Sequence, residues 1–276
     1  MRTISQSAAI AVSALPNKGR AVVATTRIPP FSTILTTTPI AQVLKKQSAD
    51  RHCAYCLAPS TSTVHAACAP FYERFGGEML SRVNLTPLEK LHADEGRKFP
   101  LLIANLLASL LAEIKATRAV PSTWEPLELV YATLHEEAET QVASEHAHLL
   151  GAFADAGLAD ARTLEMFLPL DRYKQLLGAA QLNAFELTLS HGAVVSALLP
   201  GTASMFNHAC EENVLVRCGE THEVSFVTGE LPVEEGEELC ISYVDGHQFG
   251  TREERRHLLL HKYGFECDCA RCRRGE

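Results

Sequence analysis

The sequence feature that most constrains the fold is a group of three cysteines near the end of the sequence. Cys267, Cys269 and Cys272 lie within six residues of one another, in the segment FECDCARC. They are too close together for each to find a separate disulfide partner, but their spacing is typical of three thiolate ligands of one tetrahedral zinc ion. A fourth ligand has to come from elsewhere, so the fold must bring a distant segment to this tail. The alternative is a flexible, reduced tail without metal.

Three earlier cysteines could supply the fourth ligand. Cys218 and Cys240 fall in strand-like segments, where a buried thiol usually serves as a small hydrophobic side chain. Cys210 instead follows the polar pair Asn207-His208 in the loop-like segment SMFNHACEENV. We therefore favour Cys210 as the fourth zinc ligand.

A second group of metal-binding residue types lies between residues 53 and 68. It consists of a C-x2-C half and an H-x2-C half, formed by Cys53, Cys56, His65 and Cys68. This is also a zinc-binding spacing, so the segment predicts a second zinc ion. The alternative is that His65 faces solvent and that the segment is only a loop.

The composition limits the compartment and the class of partner. The nine cysteines are odd in number and clustered, which favours metal binding in a reducing compartment over a disulfide framework. The formal net charge of −8 argues against direct nucleic-acid binding and is compatible with a basic partner. No apolar run approaches the length needed to cross a bilayer, so we expect no membrane segment. The acid-free first twenty residues could also be a mitochondrial presequence, but we favour a first strand, and nucleus and cytoplasm both fit.

The pattern along the chain changes from strands to helices and back to strands. Short Val-, Ile- and Thr-rich strands are predicted in residues 8–50, and the cysteine module follows in residues 51–78. Residues 79–180 have a helical pattern, residues 181–247 return to strands, and residues 248–276 hold a last helix and the cysteine tail. This order predicts an α+β fold whose sheet is interrupted by insertions.

Two local patterns predict details of the helical block. Leu102, Leu106, Leu110 and Ile114 recur every four residues and predict one apolar helical face. In LTPLEKL, Thr86 followed by Pro87 and Glu89 predicts a helix that begins with a threonine N-cap and a capping box.

Five segments, taken together and in order, resemble a known family. The segments are NKGRAVVATTRIP, QLNAFEL, SMFNHACEENV, GEELCISYVD and YGFECDCARC, and they resemble the signature blocks of the SET-domain lysine methyltransferases. The cysteine module and helical block between the early and late strands are similar to the SET/MYND (SMYD) branch and its fungal relatives. The resemblance spans residues 10–273. It implies a SET-type β-fold of short strands, split by a reduced MYND-like module and a helical insertion, with a post-SET zinc tail.

The resemblance also implies a cofactor, S-adenosylmethionine, and a role for individual residues. Tyr243 matches the catalytic tyrosine of the family, and Tyr263 matches the aromatic residue that lines the substrate-lysine channel. Cys210 becomes a ligand of the terminal zinc. The residues that would contact the cofactor are Lys18, Gly19, Arg20, Asn183, Asn207, His208, Tyr243 and Phe265.

The function that the resemblance implies is methyl transfer from S-adenosylmethionine to a lysine side chain of a histone or non-histone protein, with histone tails among the expected partners. The alternative is a catalytically inactive SET-fold protein that binds zinc and docks to partners. Two departures from the family pattern favour this alternative. Ala21 replaces a second glycine of the first loop, and the segment from Cys53 to Cys68 has fewer ligands than a full MYND module.

Overall fold

The computed structural model describes residues 5–60, 68–119, 139–219, 222–244 and 250–276. The strands are β1 Ser5–Gln6, β2 Ile10–Leu15, β3 Gly19–Ala24, β4 Thr33–Thr37, β5 Ala41–Leu44, β6 Ala184–Thr188, β7 Val194–Leu198, β8 Asn207–His208, β9 Val214–Cys218, β10 Val224–Thr228 and β11 Glu238–Ile241. The helices are α1 Lys46–Ala49, α2 Ala69–Arg74, α3 Gly77–Leu80, α4 Thr86–Glu95, α5 Phe99–Thr117, α6 Glu139–Asp155, α7 Ala161–Phe167, α8 Leu170–Asn183, α9 Arg252–Tyr263 and α10 Ala270–Arg273. The predicted α+β class is confirmed.

The chain divides into two compact units. Unit 1 comprises Met1–Thr38, Pro200–Gly219 and Glu223–Glu276, and unit 2 comprises Pro39–Leu199 and Glu220–His222. Unit 1 is therefore assembled from segments that are far apart in the sequence, and unit 2 is almost entirely the stretch between the first two of them.

Two four-stranded sheets form unit 1. The first has the order β1-β4-β10-β9, and the second has the order β2-β3-β11-β8. In β10 the residues that face the core alternate along the strand, so Val224, Phe226 and Thr228 are buried. This is the period of two that the Val-rich pattern predicts.

The second sheet of unit 1 places the predicted site residues beside one another. β11 pairs antiparallel with β3, and it pairs parallel with the short strand β8, so that Cys240 lies opposite Asn207 and Ile241 lies opposite His208. The chain leaves β11 at Ile241, two residues before Tyr243. The Asn207-His208 pair and the segment that carries Tyr243 are thus held at one edge of this sheet.

Helix α9 of unit 1 has well-defined ends. Thr251 is the N-cap, and a capping box joins its side chain and that of Glu254 to the two backbone amides. The helix ends at Gly264, whose φ of +74° is the left-handed conformation that glycine adopts without strain. The tail that carries Cys267, Cys269 and Cys272 starts from this fixed point.

Unit 2 packs helices around a three-stranded antiparallel sheet of order β5-β7-β6. The predicted apolar face of α5 is confirmed: Leu102, Leu106 and Leu110 are buried, and Ile114 packs against the same cluster. Among the described residues, α5 is the helix that is long and apolar enough to cross a membrane by length and composition alone. Nine of its residues are buried in the unit 2 core, so it is a core helix of this unit.

The predicted N-cap of α4 is wrong. Thr86 is the first residue of the helix, and Leu85 holds the N-cap position without a side-chain hydrogen bond. The Oδ1 atom of Asn84 accepts the hydrogen bond of the Thr86 amide at 3.2 Å. Because this asparagine already satisfies an amide at the helix start, the chain enters the helix one residue earlier than the threonine pattern indicates.

Candidate functional site

A carboxylate at the start of β11 joins two residues of the predicted cofactor set. Glu238 Oε2 lies 2.5 Å from Lys18 Nζ, and Glu238 Oε1 accepts a hydrogen bond from Asn207 Nδ2 at 2.9 Å. The Glu238 side chain is only 14% exposed. The hydrogen bond to Glu238 raises the pKa of Lys18, so Lys18 is a cation at neutral pH. Sequence reasoning did not select Glu238.

An asparagine side chain fixes the beginning of β11. The Nδ2 atom of Asn213 donates to the Glu238 carbonyl oxygen at 2.9 Å, and its Oδ1 atom accepts from the Cys240 amide at 2.8 Å. Asn213 therefore acts like an added strand partner for these two residues. This holds Glu238 in register beside Asn207.

Four aromatic rings gather where the chain leaves β11. The ring centroids of Tyr243 and Tyr263 are 4.9 Å apart, and those of Tyr243 and Phe265 are 6.5 Å apart. His208 lies 5.4 Å from Tyr243 and 6.2 Å from Phe265 by the same measure. These are ordinary packing distances for aromatic pairs. The structure thus brings together the four aromatic residues that were assigned to the cofactor and lysine sites.

The Tyr243 hydroxyl is held in place and stays protonated. It donates a hydrogen bond to the Phe206 carbonyl oxygen at 2.6 Å. Burial, with a smaller contribution from Tyr263, raises the pKa of Tyr243 far above its ordinary value. Tyr243 also lies beyond the end of β11, and Leu239, Cys240 and Ile241 are all buried. Burial therefore does not alternate along β11, and Tyr243 is not a residue of this strand.

His208 connects the aromatic cluster to Cys210. Its Nδ1 atom accepts a hydrogen bond from the Tyr243 amide at 3.0 Å, which assigns the ring proton to Nε2. Nε2 lies 3.2 Å from Cys210 Sγ and can donate to it. Burial, followed by the positive charge of Arg255, lowers the pKa of His208 to about 4. His208 is therefore neutral at physiological pH, with both ring nitrogens engaged.

The four cysteines predicted as terminal zinc ligands come together. The Sγ atoms of Cys210, Cys267, Cys269 and Cys272 all lie within 4.8 Å of one another. The Sγ of Cys210 is 3.8 Å from that of Cys267 and 3.6 Å from that of Cys272. Four sulfurs bound to zinc at the usual 2.3 Å would be about 3.8 Å apart at the corners of a tetrahedron. The cluster could therefore hold a zinc ion.

One thiol of this cluster is held close to its ionised form. Burial opposes ionisation of Cys269, but the amides of Cys272 and Cys210 donate to its sulfur and lower its pKa to about 7. Burial raises the pKa of the Cys267 thiol. A protein site that presents four thiols with backbone donors aimed at one of them has the donor chemistry of a thiolate zinc site.

A buried arginine lies beside this cluster. Arg255 is 1% exposed, and its guanidinium donates to the backbone oxygens of Gly250 at 2.8 Å and Glu276 at 2.5 Å. It belongs to α9, in the segment TREERRHL, where nothing distinguishes it from Arg256. Sequence reasoning missed it because its role depends on which side of the helix faces the cysteines.

The beginning of β3 carries other predicted cofactor residues of unit 1, Gly19 and Arg20. Gly19 has a φ of +69°, and a Cβ atom there would meet nothing within 4 Å. Arg20 follows it in β3 and is partly buried. Ala21 pairs with Ser13 in the β2-β3 ladder and is fully buried. Ala21 is not among the described residues with positive φ. The position therefore does not require glycine, and its buried methyl group gives no reason to expect a blocked cofactor site.

Comparison with known proteins decides the family. The family model of the SET domain matches residues 19–244 of this chain. The chain belongs to the SET-domain family. The resemblance noted in the sequence is thereby confirmed, and the cysteine tail lies just beyond the end of the matched region.

Relatives of this SET-domain chain include proteins with and without a MYND name. A SET and MYND domain-containing protein of Dictyostelium discoideum is 24% identical over 196 residues, which cover 67% of this chain and 54% of that protein. The histone-lysine N-methyltransferase SMYD3 of Mus musculus is 37% identical over 90 residues, 33% of this chain and 20% of that protein. The histone-lysine N-methyltransferase ATXR4 of Arabidopsis thaliana is 24% identical over 289 aligned positions, 95% of this chain and 86% of that protein.

The chain thus spans about half of the Dictyostelium protein and a fifth of mouse SMYD3, but most of the Arabidopsis protein. The SET/MYND branch is represented among these relatives, as the sequence indicated.

The remaining predicted residues of this SET-domain chain belong to unit 2. Asn183 ends α8, is buried, and donates from Nδ2 to the Ala179 carbonyl oxygen at 2.7 Å. Its role as a cofactor contact stays a prediction.

The second cysteine group also belongs to unit 2. Cys53, Cys56 and Cys68 form one buried cluster, with Tyr55 and Tyr72 packed against it. His65, the fourth predicted ligand, lies outside the described residues. The structure therefore brings three of the four side chains together, and the second zinc stays a prediction.

Proposed function

We propose that this protein is an S-adenosylmethionine-dependent protein-lysine N-methyltransferase. Membership of the SET-domain family supports this function, as do relatives that are named histone-lysine N-methyltransferases. The observation that carries the proposal is the aromatic cluster around Tyr243, which lies against the Asn207-His208 pair. It combines an apolar lining with fixed polar groups at one end of β11.

Three segments of unit 1 are proposed to bind S-adenosylmethionine. They are the segment Lys18–Arg20, the β8 pair Asn207-His208, and Phe265, which precedes the cysteine tail. The cofactor supplies an electrophilic methyl group on a positively charged sulfur. Lys18, a cation, would attract the cofactor carboxylate. Asn207 and His208, fixed by Glu238 and by the Tyr243 amide, present a preorganised edge. Phe265 offers an aromatic face to the adenine.

The Tyr243, Tyr263 and Phe265 rings would make a substrate lysine a better nucleophile. A lysine with a pKa near 10.4 costs about 4 to 5 kcal/mol to deprotonate at pH 7. An apolar, aromatic channel disfavours the charged ammonium group and so reduces this cost. The amine and the methyl group then need only alignment.

Tyr243 is proposed to orient the substrate amine and not to accept its proton. Its pKa is raised by burial, so a phenolate base is unavailable at neutral pH. Its hydroxyl and the Phe206 carbonyl oxygen form a fixed polar pair 2.6 Å apart. A fixed dipole in an apolar lining can hold the amine in line with the methyl group.

The terminal zinc is proposed to be structural. Four thiolates would saturate a tetrahedral ion and leave no position for a water molecule, which argues against a zinc hydrolase. His208 Nε2 lies 3.2 Å from Cys210 Sγ. A zinc ion that fixes Cys210 would therefore also fix His208, which packs in the aromatic cluster.

Basic protein segments, including histone tails, are the proposed substrates. The net charge of −8 favours lysine-rich partners and disfavours direct nucleic-acid binding. Nucleus and cytoplasm are the proposed locations, and no membrane is needed for this function.

The alternative, a catalytically inactive SET-fold interaction protein, loses one of its two reasons. Ala21 lies in regular strand pairing and its methyl group is buried, so a missing glycine gives no ground for a blocked cofactor site. The reduced cysteine module remains as an argument about partner recruitment, not about methyl transfer.

A methyl-transfer assay with paired variants tests the proposed function. Zinc-loaded wild-type protein is incubated with tritiated S-adenosylmethionine and core histones, beside Tyr243→Phe and the control Tyr72→Phe, which removes a hydroxyl in unit 2. We expect transfer by the wild type and the control, and a loss of about a hundredfold in Tyr243→Phe because the amine is no longer held in line. Equal rates for all three would contradict the role of Tyr243. A folded wild type inactive on histones and on a panel of lysine-rich proteins would contradict the proposed activity.

A further inference from the structure

A pair of histidines on the outer face of α9 takes no part in the site described above. His257 and His261 are four residues apart, in the segment RRHLLLHKY, and both are exposed. Residues four apart on an α-helix lie one above the other on the same face. The two ring centroids are 6.3 Å apart, and the ring planes differ by 24°. The helix therefore presents two imidazole rings side by side to solvent.

The backbone that carries this pair is well fixed. Arg255 and Leu259, each two residues before one of the histidines, are buried. A step of two residues turns about 200° around a helix, so the histidines face away from the core. Both ends of the helix are defined, by the capping box at Thr251 and by the left-handed Gly264. The distance between the two Cα atoms is therefore set before a ligand binds.

The ring nitrogens of the pair are available to a ligand. Neither ring makes a hydrogen bond or an ion pair with any residue that the structure describes. The rings of His52, His146 and His208, in contrast, hydrogen-bond to protein atoms. A neutral imidazole with an unengaged nitrogen is the commonest metal ligand in proteins. Two such rings on one face therefore have the donor chemistry of a metal site.

We propose that His257 and His261 bind a divalent transition-metal ion, at a site separate from the four-cysteine centre. Two histidines four apart on a helix are the arrangement that holds zinc in the H-E-x-x-H pattern. Two imidazoles bound to one ion through nitrogens at about 2.1 Å would have ring centroids about 5 Å apart. The rings here are 6.3 Å apart, and rotation about the side-chain bonds of exposed residues closes this difference. Leu258 takes the position of the glutamate in that pattern, so the site is assigned to binding and not to hydrolysis.

The chemistry of the ligands selects the ion. Imidazole nitrogens suit zinc, nickel and copper, whereas Mg²⁺ and Ca²⁺ prefer oxygen ligands. His261 also lies in the last turn of α9, where the helix dipole favours a positive charge. Two protein ligands leave the other coordination positions of the ion to water molecules.

An ion held by both rings would join the last two turns of α9. The helix ends at Tyr263, whose ring centroid is 4.9 Å from that of Tyr243. A ligand that binds the folded helix and not the unfolded chain stabilises the fold by mass action. Occupancy of the site should therefore stabilise the part of unit 1 that carries the aromatic cluster. The site itself does not depend on methyl transfer.

The test is isothermal titration of nickel chloride into the full chain, with its cysteine centre already loaded with zinc. Wild type is compared with His257→Gln, His261→Gln and the control His148→Gln. His148 is also exposed on a helix, but the residues four positions before and after it are Ser144 and Ala152. We expect the wild type and the control to bind a nickel ion that each α9 variant binds about tenfold or more weakly, because a single imidazole cannot chelate. The cysteine centre is the same in all four proteins, so the differences report the α9 site.

Thermal unfolding gives a second measurement. Nickel should raise the midpoint of unfolding in the wild type and in His148→Gln but not in His261→Gln, whereas magnesium should change none of them. No nickel binding by the wild type, equal affinities in the wild type and both α9 variants, or an equal loss in His148→Gln would each overturn this assignment. A wild type that binds nickel at α9 but no S-adenosylmethionine would contradict the proposed function and leave this site standing.

Discussion

At the scale of single residues, Glu238 organises the polar side of the candidate site. Its two carboxylate oxygens hold Lys18 and Asn207, and its carbonyl oxygen is held by Asn213. These contacts place a lysine cation and an asparagine amide in fixed positions before any cofactor arrives. Preorganised polar groups bind without the cost of ordering them.

Replacing Glu238 by glutamine should weaken cofactor binding. The Glu238→Gln side chain is similar in size but has one acceptor oxygen, so it no longer holds both Lys18 and Asn207 in position. Because Lys18 is half-exposed and screened by solvent, we expect a moderate effect, about three- to tenfold in the dissociation constant of S-adenosylmethionine. Isothermal titration measures it. The control is Glu237→Gln, whose exposed carboxylate accepts from the Glu234 amide. Equal affinities for Glu238→Gln and wild type would contradict this role.

Single residues differed in how far the sequence could predict them. Cys210 was found because three clustered thiols require a fourth, and because its neighbours are polar. Glu238 and Arg255 were missed, since one is an acid at a strand start and the other is half of an Arg-Arg pair. Their roles arise from which distant residues the fold brings to them, and local sequence does not contain that information.

At the scale of elements, helix α9 connects several parts of the site. It carries Arg255, ends at Tyr263, and is followed by Phe265 and the cysteine tail. Its start is fixed by the capping box between Thr251 and Glu254. The position of the tail therefore depends on how firmly this helix begins.

Removing the cap of α9 should lower the stability of the protein. We expect Thr251→Ala to reduce the free energy of unfolding by about 0.5 to 2 kcal/mol, because an amide at the helix start loses its acceptor. Denaturant unfolding of the zinc-loaded protein measures this. Thr251→Ser, which keeps the hydroxyl, should lose much less. An alanine variant as stable as wild type would contradict the importance of the cap.

Elements were predictable where periodicity decides the structure. The four-residue repeat of leucines correctly predicted the buried face of α5. The threonine cap of α4 was wrong: the helix already begins at Thr86, and Asn84 accepts the hydrogen bond of the Thr86 amide. In β11, by contrast, Leu239, Cys240 and Ile241 are all buried, so burial does not alternate along this strand.

At the scale of the whole molecule, the two units have separate buried clusters. The largest cluster of unit 2 is built mainly from helices and contains none of the four terminal cysteines. The cluster that includes those cysteines belongs to unit 1 and is packed against by Tyr243, Tyr263 and Phe265. Loss of the metal should therefore act first on unit 1.

Removal of zinc by a strong chelator under reducing conditions should abolish cofactor binding and leave most of the helical signal. We expect the tail to loosen and the aromatic cluster to lose its support, while ellipticity at 222 nm is largely retained by unit 2. Titration with S-adenosylmethionine and circular dichroism on the same samples check both points. Adding zinc back should restore binding. Unchanged binding after complete zinc removal would contradict the structural role of the metal.

The most direct test of methyltransferase function is isothermal titration of S-adenosylmethionine into reduced, zinc-loaded wild-type protein. We expect saturable binding of one cofactor per chain, with displacement by the demethylated product, S-adenosylhomocysteine. No detectable binding by a folded sample that contains its zinc would contradict the claim that this SET-domain chain is a methyltransferase.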